Sequence, residues 1–366
     1  MRRSDPATLR SWRPGDREVP CVRDTRRELN AVELLTRVHA RNLVEWARSR
    51  PDVLVLSADL TSSTEIDLFR DTYPDRFLSM GMTEQAMMSV AGGLAREGFR
   101  PFVHTFAVFM YRRALDQIAM SIAYPNLPVR MFGFLPGILT PGGVTHQAIE
   151  DVAVMRALPN LTVVECGDAT DVESVLDAVD PVPGPVYVRM LRGEIPRLFP
   201  AGDRLRLNRA RVVSEGDDVA LLTTGICTEE AMRATAVLRE RGVSAAHLHV
   251  STLKPFSDPT VVTTLGRVRR GVVTMENHTV MGGLGTAVAE VMAERGMAVP
   301  LRRLGLPDQF AHGASAHYLQ KEYGLDALAL VRAVEQLLGR PLGIEEQDLA
   351  AVRLNPVHSD AKAEAL

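Results

Sequence analysis

The chain has 366 residues, which is more than one average domain and fits two. Its 46% hydrophobic and 24% charged composition is that of a soluble globular protein. The formal net charge of -3 gives no reason to expect nucleic acid or an anionic membrane as a partner.

The cysteines and the apolar runs indicate the compartment. Cys21, Cys166 and Cys227 lack metal-ligand spacing, which favours a reducing environment. No apolar run approaches the roughly 20 residues of a membrane-spanning helix. The first residues carry charge but no apolar signal core. We therefore expect a cytoplasmic protein.

After an aperiodic start, the first part of the chain alternates helical patterns with short apolar runs. Residues 1–27 are charged and aperiodic and are predicted to form an arm. Residues 28–205 are predicted to form the first domain, which begins with a helix at 31–49. Its predicted strands are residues 52–56, 101–105, 129–132, 161–165 and 186–190. Strands that alternate with helices indicate a mostly parallel sheet with right-handed crossovers.

A passage rich in proline, glycine and aspartate begins at Phe199 and leads to a second unit at residues 206–345. Its predicted strands are residues 218–222, 246–250, 271–275 and 301–304, with helices at 229–241, 286–295 and 326–338. Residues 346–366 are predicted to be a polar tail. The expected fold class is α/β, with two domains that each contain a mostly parallel sheet flanked by helices.

Glu84 falls in the first turn of a predicted helix, with Thr83 as its expected cap. The apolar face of that helix is predicted to be Met87, Val90, Ala91, Leu94 and Ala95. A glutamate at this position can simply offset the helix dipole, worth about 0.3–1 kcal/mol. Alternatively, its carboxyl group shares a proton with a ring nitrogen of a bound heterocycle. Burial beneath a cofactor would raise its pKa and suit it to acid–base chemistry.

Several further candidate residues follow predicted strand ends, where parallel sheets bind ligands. They are Asp59, Leu60, Phe106, Phe109, the loop from Phe134 to His146, and Arg192. Phe106, Phe109 and Arg112 are spaced i, i+3, i+6 along the next helix. An aromatic pair at this spacing is more often core than a cofactor platform, but an arginine that continues the stripe favours a site.

At these positions the chain resembles the transketolase family, in its pyrimidine-binding and carboxyl-terminal domains, over about residues 29–338. The motifs that carry the resemblance are Ser57-Ala-Asp-Leu-Thr61, Gly81-Met-Thr-Glu-Gln85, Thr145-His-Gln-Ala-Ile-Glu-Asp151, Leu191-Arg-Gly193, and Glu276-Asn-His278 with Gly282-Gly-Leu-Gly285. The resemblance implies that Glu84 hydrogen-bonds the aminopyrimidine of thiamine diphosphate and promotes loss of the thiazolium proton. It also implies an aromatic pocket of Phe106 and Phe109, with Asp59 and Leu60 near the cofactor at a subunit interface.

The resemblance suggests roles for four further residues. Arg112 stands where transketolases usually have tyrosine and 1-deoxyxylulose-5-phosphate synthases have arginine, so it joins the cofactor-site candidates. His146 is a candidate for binding the donor oxygen or shuttling protons, although a lone loop histidine is more often a surface residue. Arg192, otherwise a solvated strand-end charge, would grip a sugar phosphate, and Ser63 would add a hydroxyl.

The chain also departs from the family pattern. Phe134 and Gly142 occupy positions where the family has a histidine and an aspartate that contact the sugar, so a specialised ketose or a 2-oxo acid is a possible donor. Arg26 and Arg37 compete for the place of a family arginine.

The glycines after Glu276-Asn-His278 can indicate a phosphate loop, but tight packing is the commoner reason. The loop Asp308–Gly313 has no assigned role.

The diphosphate half of the expected site is missing. The family holds Mg²⁺ and diphosphate with a Gly-Asp-Gly motif and a downstream asparagine, and the sequence has no such triplet. We assign no metal ligand to this chain and place Mg²⁺ on an amino-terminal transketolase subunit, in an α₂β₂ heterotetramer. The expected activity is two-carbon ketol transfer from a ketose, often phosphorylated, to an aldehyde. The alternatives are a 2-oxo acid decarboxylase, a deoxyxylulose-phosphate-type synthase, or a non-catalytic scaffold subunit.

Overall fold

Two largely parallel sheets flanked by helices organise residues 32–352, the part of the chain that the computed structural model describes. The predicted α/β fold class is therefore confirmed. The predicted arm lies outside the described residues, as does the tail from residue 353 onward. Within residues 32–352, none of the helices combines the length and apolarity needed to cross a membrane.

Strands and helices alternate along most of the described chain. The strands are β1 (Leu34–Thr36), β2 (Val53–Ser57), β3 (Phe77–Ser79), β4 (Arg100–Phe106), β5 (Arg130–Phe134), β6 (Thr162–Glu165), β7 (Val186–Met190), β8 (Glu194–Pro196), β9 (Arg211–Ser214), β10 (Val219–Thr223), β11 (Ala245–His249), β12 (Thr252–Lys254), β13 (Gly271–Thr279) and β14 (Leu301–Leu306). The α-helices are α1 (Val38–Trp46), α2 (Asp67–Thr72), α3 (Glu84–Arg96), α4 (Ala107–Gln117), α5 (Asp151–Ala157), α6 (Ala169–Val179), α7 (Cys227–Glu240), α8 (Pro259–Arg267), α9 (Leu284–Glu294), α10 (Ala316–Glu322), α11 (Ala327–Leu338) and α12 (Glu346–Ala350). A π-helical segment, Ile118–Ala123, continues α4.

The first sheet has seven strands in the order β12-β6-β7-β5-β4-β2-β3. All neighbours pair in parallel except β12, which is antiparallel to β6. Every residue of β2, β5 and β7 is buried, as expected for strands covered by helices on both faces. The parallel order brings the carboxyl ends of β2, β4, β5 and β7 to one edge, and the segments after them carry the candidate residues.

The predicted helix at 31–49 is wrong in its first part. Leu34–Thr36 forms β1, which pairs antiparallel with β8 at Glu194–Pro196. The backbone hydrogen bonds of this ribbon come from a segment about 160 residues away, and helical periodicity alone does not reveal such pairing. The helix itself begins only at Val38.

The second sheet has five strands in the order β14-β13-β10-β11-β9, with β9 antiparallel to β11. Strand β13 runs past its predicted end to Thr279 and is buried along its whole length. The predicted tail begins with helix α12, and its Leu349 and Val352 are buried. Those residues therefore pack on the second unit, whereas residues 353–366 lie outside the described residues.

A fully buried ion cluster joins the two sheets. The guanidinium group of Arg189, on β7, donates to Asp151 Oδ2 at 2.9 Å and to Glu165 Oε1 at 2.6 Å. It also donates to the backbone oxygen of Asn277, on β13, at 3.0 Å. Thr224, after β10, donates to the other oxygen of Glu165 at 3.0 Å. The burial of these charges is compensated by mutual hydrogen bonding across the inter-unit boundary.

Candidate active site

Glu84 begins α3, and its side chain is almost completely buried. Thr83 does not cap the helix, because its hydroxyl donates to the Met80 carbonyl at 2.6 Å. The buried face includes Met87 and Ala91 as predicted, but Val90 is exposed. A carboxylate at a helix N-terminus is stabilised by the helix dipole. Because the Glu84 side chain is buried, it can bond only to groups that pack directly against it.

Arg113, on α4, is the partner of Glu84. Its Nη1 donates to Glu84 Oε1 at 2.8 Å, and its guanidinium carbon lies 3.9 Å from the ring centroid of Phe109. The Phe106 and Phe109 centroids are 5.7 Å apart, and the His146 ring lies 5.4 Å from Phe109. The structure thus brings four of the predicted site residues into one continuous cluster, with Arg113 at its centre.

Sequence analysis missed Arg113 and singled out its neighbour Arg112. Helical geometry distinguishes the two arginines. Viewed down the helix axis, the residue four positions after Phe109 is rotated from it by about 40°, and the residue three positions after it by about 60° in the opposite direction. Arg113 is i+4 from Phe109 and reaches back over its ring. Arg112 Nε donates to Glu150 Oε1 at 2.8 Å and its Nη1 to the Val144 carbonyl at 2.9 Å. The described contacts of Arg112 therefore support the loop that carries His146.

His146 is half-buried in that loop, where its Nδ1 lies 2.9 Å from the Thr145 hydroxyl. The departures from the family pattern have physical reasons here. A Cβ atom on Gly142 would stand 3.0 Å from the His146 ring, so a side chain at 142 would require the imidazole to shift by a few tenths of an ångström. Phe134 is fully buried, with its ring centroid 5.6 Å from that of His39. A polar sugar contact is unavailable from either position.

The other predicted residues form a second group after β2 and β7. Asp59 is exposed with φ +62°, and the Leu60 amide donates to the Ser57 hydroxyl at 3.3 Å. Arg192 Nη1 donates to the backbone carbonyl of Ser63 at 2.6 Å. Arg192 and Ser63 are therefore brought together, but through the main chain of Ser63. Arg37 pairs with Asp67 at 2.6 Å, and Arg26 lies outside the described residues.

The glycine-rich segment after β13 is accounted for by Glu276. Its carboxylate accepts hydrogen bonds from the amides of Leu284 at 2.6 Å and Gly285 at 2.8 Å, at the start of α9. A Cβ atom on Gly283 would lie 1.9 Å from this carboxylate. Burial raises the pKa of Glu276 to about 7. A protein carboxyl group thus occupies the helix N-terminus that a phosphate would need, which supports tight packing as the reason for the glycines.

Fit to a cofactor can be judged from the side chains present. Glu84 can exchange a proton with a ring nitrogen. The half-buried Phe109, with the buried Phe106 beside it and Arg113 over its ring, gives the site an aromatic side of the kind that packs on a flat heterocycle. This set suits the aminopyrimidine end of thiamine diphosphate. Within residues 32–352 there is no group of three or more His, Cys, Asp or Glu side chains that could hold a metal ion.

Beneath the site, His39 and His104 form a buried pair with 3.0 Å between their Nε2 atoms. Burial lowers the pKa of His39 to about 3 and that of His104 well below its ordinary value. Both rings are therefore neutral in the folded protein at neutral pH, while the unfolded chain takes up protons near pH 6.5. Stability present above about pH 6.5 is lost as the pH falls.

The variant His104→Phe should flatten this acid dependence. It keeps the stacking on Phe132 (centroids 4.8 Å apart) but removes one titrating group. We expect the unfolding free energy to vary with pH less steeply between about pH 6 and 4.5, by up to about 1.4 kcal/mol per pH unit. Urea unfolding at several pH values measures the slope. The exposed His317→Gln is the control, and an unchanged slope in His104→Phe would contradict the assignment.

The fold and site together define a class of subunit: two consecutive α/β units with a buried acid and aromatic rings at the carboxyl edge of the first sheet. The family "Transketolase, pyrimidine binding domain" matches residues 35–197, and "Transketolase, C-terminal domain" matches residues 208–330. The chain belongs to the transketolase family, whose members depend on thiamine diphosphate. The resemblance stated from the motifs is confirmed.

Individual relatives agree with a split subunit. The 6-deoxy-6-sulfo-D-fructose transketolase subunit SqwH of Clostridium sp. (strain MSTE9) is 38% identical over 81% of this chain and 92% of its own length. A solved structure titled "Split gene transketolase, inactive beta4 tetramer" has a TM-score of 0.75 and 38% identity, covering 82% of this chain and 97% of that one. The 1-deoxy-D-xylulose-5-phosphate synthase of Desulforudis audaxviator is 33% identical over 82% of this chain but only 48% of its own length.

Proposed function

We propose that this chain is the carboxyl-terminal subunit of a two-component, thiamine diphosphate-dependent transketolase. It would transfer a two-carbon ketol unit from a ketose to an aldehyde acceptor. The observation that carries the proposal is the buried carboxyl group of Glu84 at the start of α3. It is linked to the Phe109 ring by Arg113, which donates to Glu84 and lies over that ring. The near full-length match to a named transketolase subunit supports it.

In this proposal the cofactor supplies a nucleophilic carbon, and the chain holds and activates one end of it. Phe106 and Phe109 cover the pyrimidine ring, with Asp59 and Leu60 near the thiamine at the subunit interface. Glu84 holds a proton at a ring nitrogen through Oε2, because Arg113 already donates to Oε1. His146, beside Phe109, donates to or takes a proton from the donor oxygen. Arg112 acts through the loop backbone at Val144.

A second polypeptide would hold the diphosphate and Mg²⁺, in a cytoplasmic α₂β₂ assembly. Two lengths support this division. The matched region covers 92% of the relative named as a transketolase subunit and 48% of the synthase, so the described homology spans about half of that synthase. Mg²⁺ prefers oxygen ligands together with phosphate groups, and these would come from the partner and the cofactor.

The donor we propose is a ketose with a terminal anionic group. Arg192 follows β7, where its guanidinium fork could bind a phosphate or a sulfonate. Its Nη1 donates to the backbone carbonyl of Ser63, whose hydroxyl is the second candidate contact in this proposal. The relative named for 6-deoxy-6-sulfo-D-fructose supports including a sulfonate among the candidates. The apolar Phe134 and the bare Gly142 support a donor different from that of other transketolases.

Substrate tests on the chain reconstituted with its partner separate the alternatives. We expect ketol transfer from xylulose 5-phosphate or 6-deoxy-6-sulfofructose to an aldose. Chromatography of the product sugars measures this transfer. With pyruvate we expect no carbon dioxide. The observation behind the synthase alternative is the similarity to 1-deoxy-D-xylulose-5-phosphate synthases. Release of carbon dioxide from pyruvate without ketol transfer would establish that alternative instead.

A further inference from the structure

The segment from Leu135 to His146 carries one of the two proposed catalytic side chains on a loop that needs external support. Leu135, directly after β5, has φ +54°, a left-handed conformation that is unfavourable for a residue other than glycine. The base of the loop is closed by the Gly137 amide, which donates to the Ala148 carbonyl at 2.8 Å. A strained start of this kind persists only when neighbouring groups hold it.

Asn277, on β13 of the second sheet, provides that support. Its Oδ1 accepts from the Ile138 amide at 3.0 Å, and its Nδ2 donates to the Pro136 carbonyl at 3.1 Å. The side chain is 1% exposed, so neither loop group has water as a substitute. One amide group thereby satisfies a donor and an acceptor on either side of Gly137, as a neighbouring strand would.

Gly137 fits closely against this amide. Its φ is +63°, and a Cβ atom there would lie 2.1 Å from Asn277 Oδ1. Only a glycine permits the backbone both to turn and to approach the asparagine this closely. The loop and Asn277 are therefore matched in shape as well as in hydrogen bonding.

Asn277 is itself held in place by Arg189. One guanidinium nitrogen, Nη2, donates to the Asn277 carbonyl at 3.0 Å and to the Ala148 carbonyl at 3.1 Å. The same side chain thus ties the asparagine to the residue that closes the loop. Movement of β13 relative to the first sheet would displace both ends of the loop base together.

The second unit also contacts the far part of the loop. Gln147 Nε2 donates to the His312 carbonyl at 3.1 Å, and a Cβ atom on Gly313 would lie 2.9 Å from the Pro141 carbonyl. The Phe310 ring centroid lies 5.8 Å from the guanidinium carbon of Arg112. The loop at Asp308–Gly313, without a role from its sequence, is therefore an outer support of the same segment.

We propose that Asn277 is a positioning residue: through its side-chain amide, the second unit sets the backbone of the loop Leu135–His146 and so places His146 beside Phe109. The placement of the loop is a property of this chain alone. Its consequence for catalysis rests on the proposed function, in which His146 contacts the donor.

Hydrogen exchange on the full chain tests the placement without any substrate. Asn277→Leu keeps the approximate volume but removes both hydrogen bonds, so amides 137–147 should exchange roughly tenfold faster or more. The matched control is Thr252→Val, which removes a different bond to a buried hydroxyl, the one from the Asn208 amide, and contacts neither the loop nor Arg189. Loop exchange within about twofold of the unmodified chain in Asn277→Leu, or an equal increase in Thr252→Val, would overturn the proposal.

Asn277→Asp provides a rescue test. A protonated carboxyl group has one donor and one acceptor and can replace the amide, whereas the carboxylate would face the Pro136 carbonyl with no proton to donate. After correction for the intrinsic effect of pH, loop exchange in Asn277→Asp should approach that of the unmodified chain as the pH falls. Exchange that stays fast at every pH where the chain is folded would count against the paired hydrogen bonds.

Kinetics of the reconstituted enzyme test the catalytic consequence. In Asn277→Leu the donor kcat/KM should fall roughly tenfold or more, with thiamine diphosphate affinity nearly unchanged, because Glu84 and Phe106 lie outside the loop. If loop exchange rises and donor kinetics do not change, the link from the loop to catalysis is overturned. Failure of the proposed function looks different, since the unmodified complex would then transfer no ketol unit.

Discussion

Replacing Glu84 with glutamine is expected to lower turnover of the reconstituted enzyme by about 10²- to 10⁴-fold, the usual contribution of general acid–base catalysis. The amide keeps the size of the side chain and an oxygen for Arg113, which donates to Oε1 at 2.8 Å. It loses the exchangeable proton that the proposed chemistry requires. Steady-state ketol transfer measures the effect, and size-exclusion chromatography with light scattering checks that the assembly is intact.

Glu97→Gln is the matched control, because this exposed glutamate stands at the other end of α3. It should retain full activity. Activity of Glu84→Gln equal to that of the control would support the scaffold alternative, in which the fold is kept without chemistry. Glu84→Ala, which also removes the contact to Arg113, should be at least as inactive.

Replacing Arg189 with methionine is expected to lower the unfolding free energy by about 3–5 kcal/mol, as is typical when one partner of a buried ion cluster is removed. The change leaves Asp151 and Glu165 buried without a counterion. It also removes the donor to the carbonyls of Asn277 and Ala148. Urea unfolding of the full chain, followed by circular dichroism, measures the loss.

Arg48→Met is the control, since Arg48 pairs with Glu45 on the surface and should contribute little. Burial already raises the pKa of Glu165, and the charge of Arg189 opposes that rise. Without the arginine this pKa should rise further. The destabilisation of Arg189→Met should therefore shrink as the pH falls and the carboxyl group takes up a proton. A loss no larger than that of Arg48→Met would contradict the structural role of the cluster.

Local patterns were sufficient for most elements of the fold. Strand β7 coincides with its predicted residues, and β2 is displaced by one residue, because most of the buried residues in these strands form short apolar runs. Strand β1 was predicted as helix, since its partner β8 lies far along the chain. The extension of β13 to Thr279 was also missed, because Glu276 and Asn277 are polar and their burial depends on partners that lie outside the strand, at the start of α9 and in the first unit.

The sequence by itself determined the family and the approximate positions of Glu84, Phe106, Phe109 and His146. These depend on motif order and strand ends, which are properties of contiguous residues. The tertiary structure alone decided that Arg113 meets Glu84, and that Asn277 hydrogen-bonds the loop of His146. Such contacts join elements distant in sequence, and they depend on the rotation and packing of each element, which residue spacing does not encode.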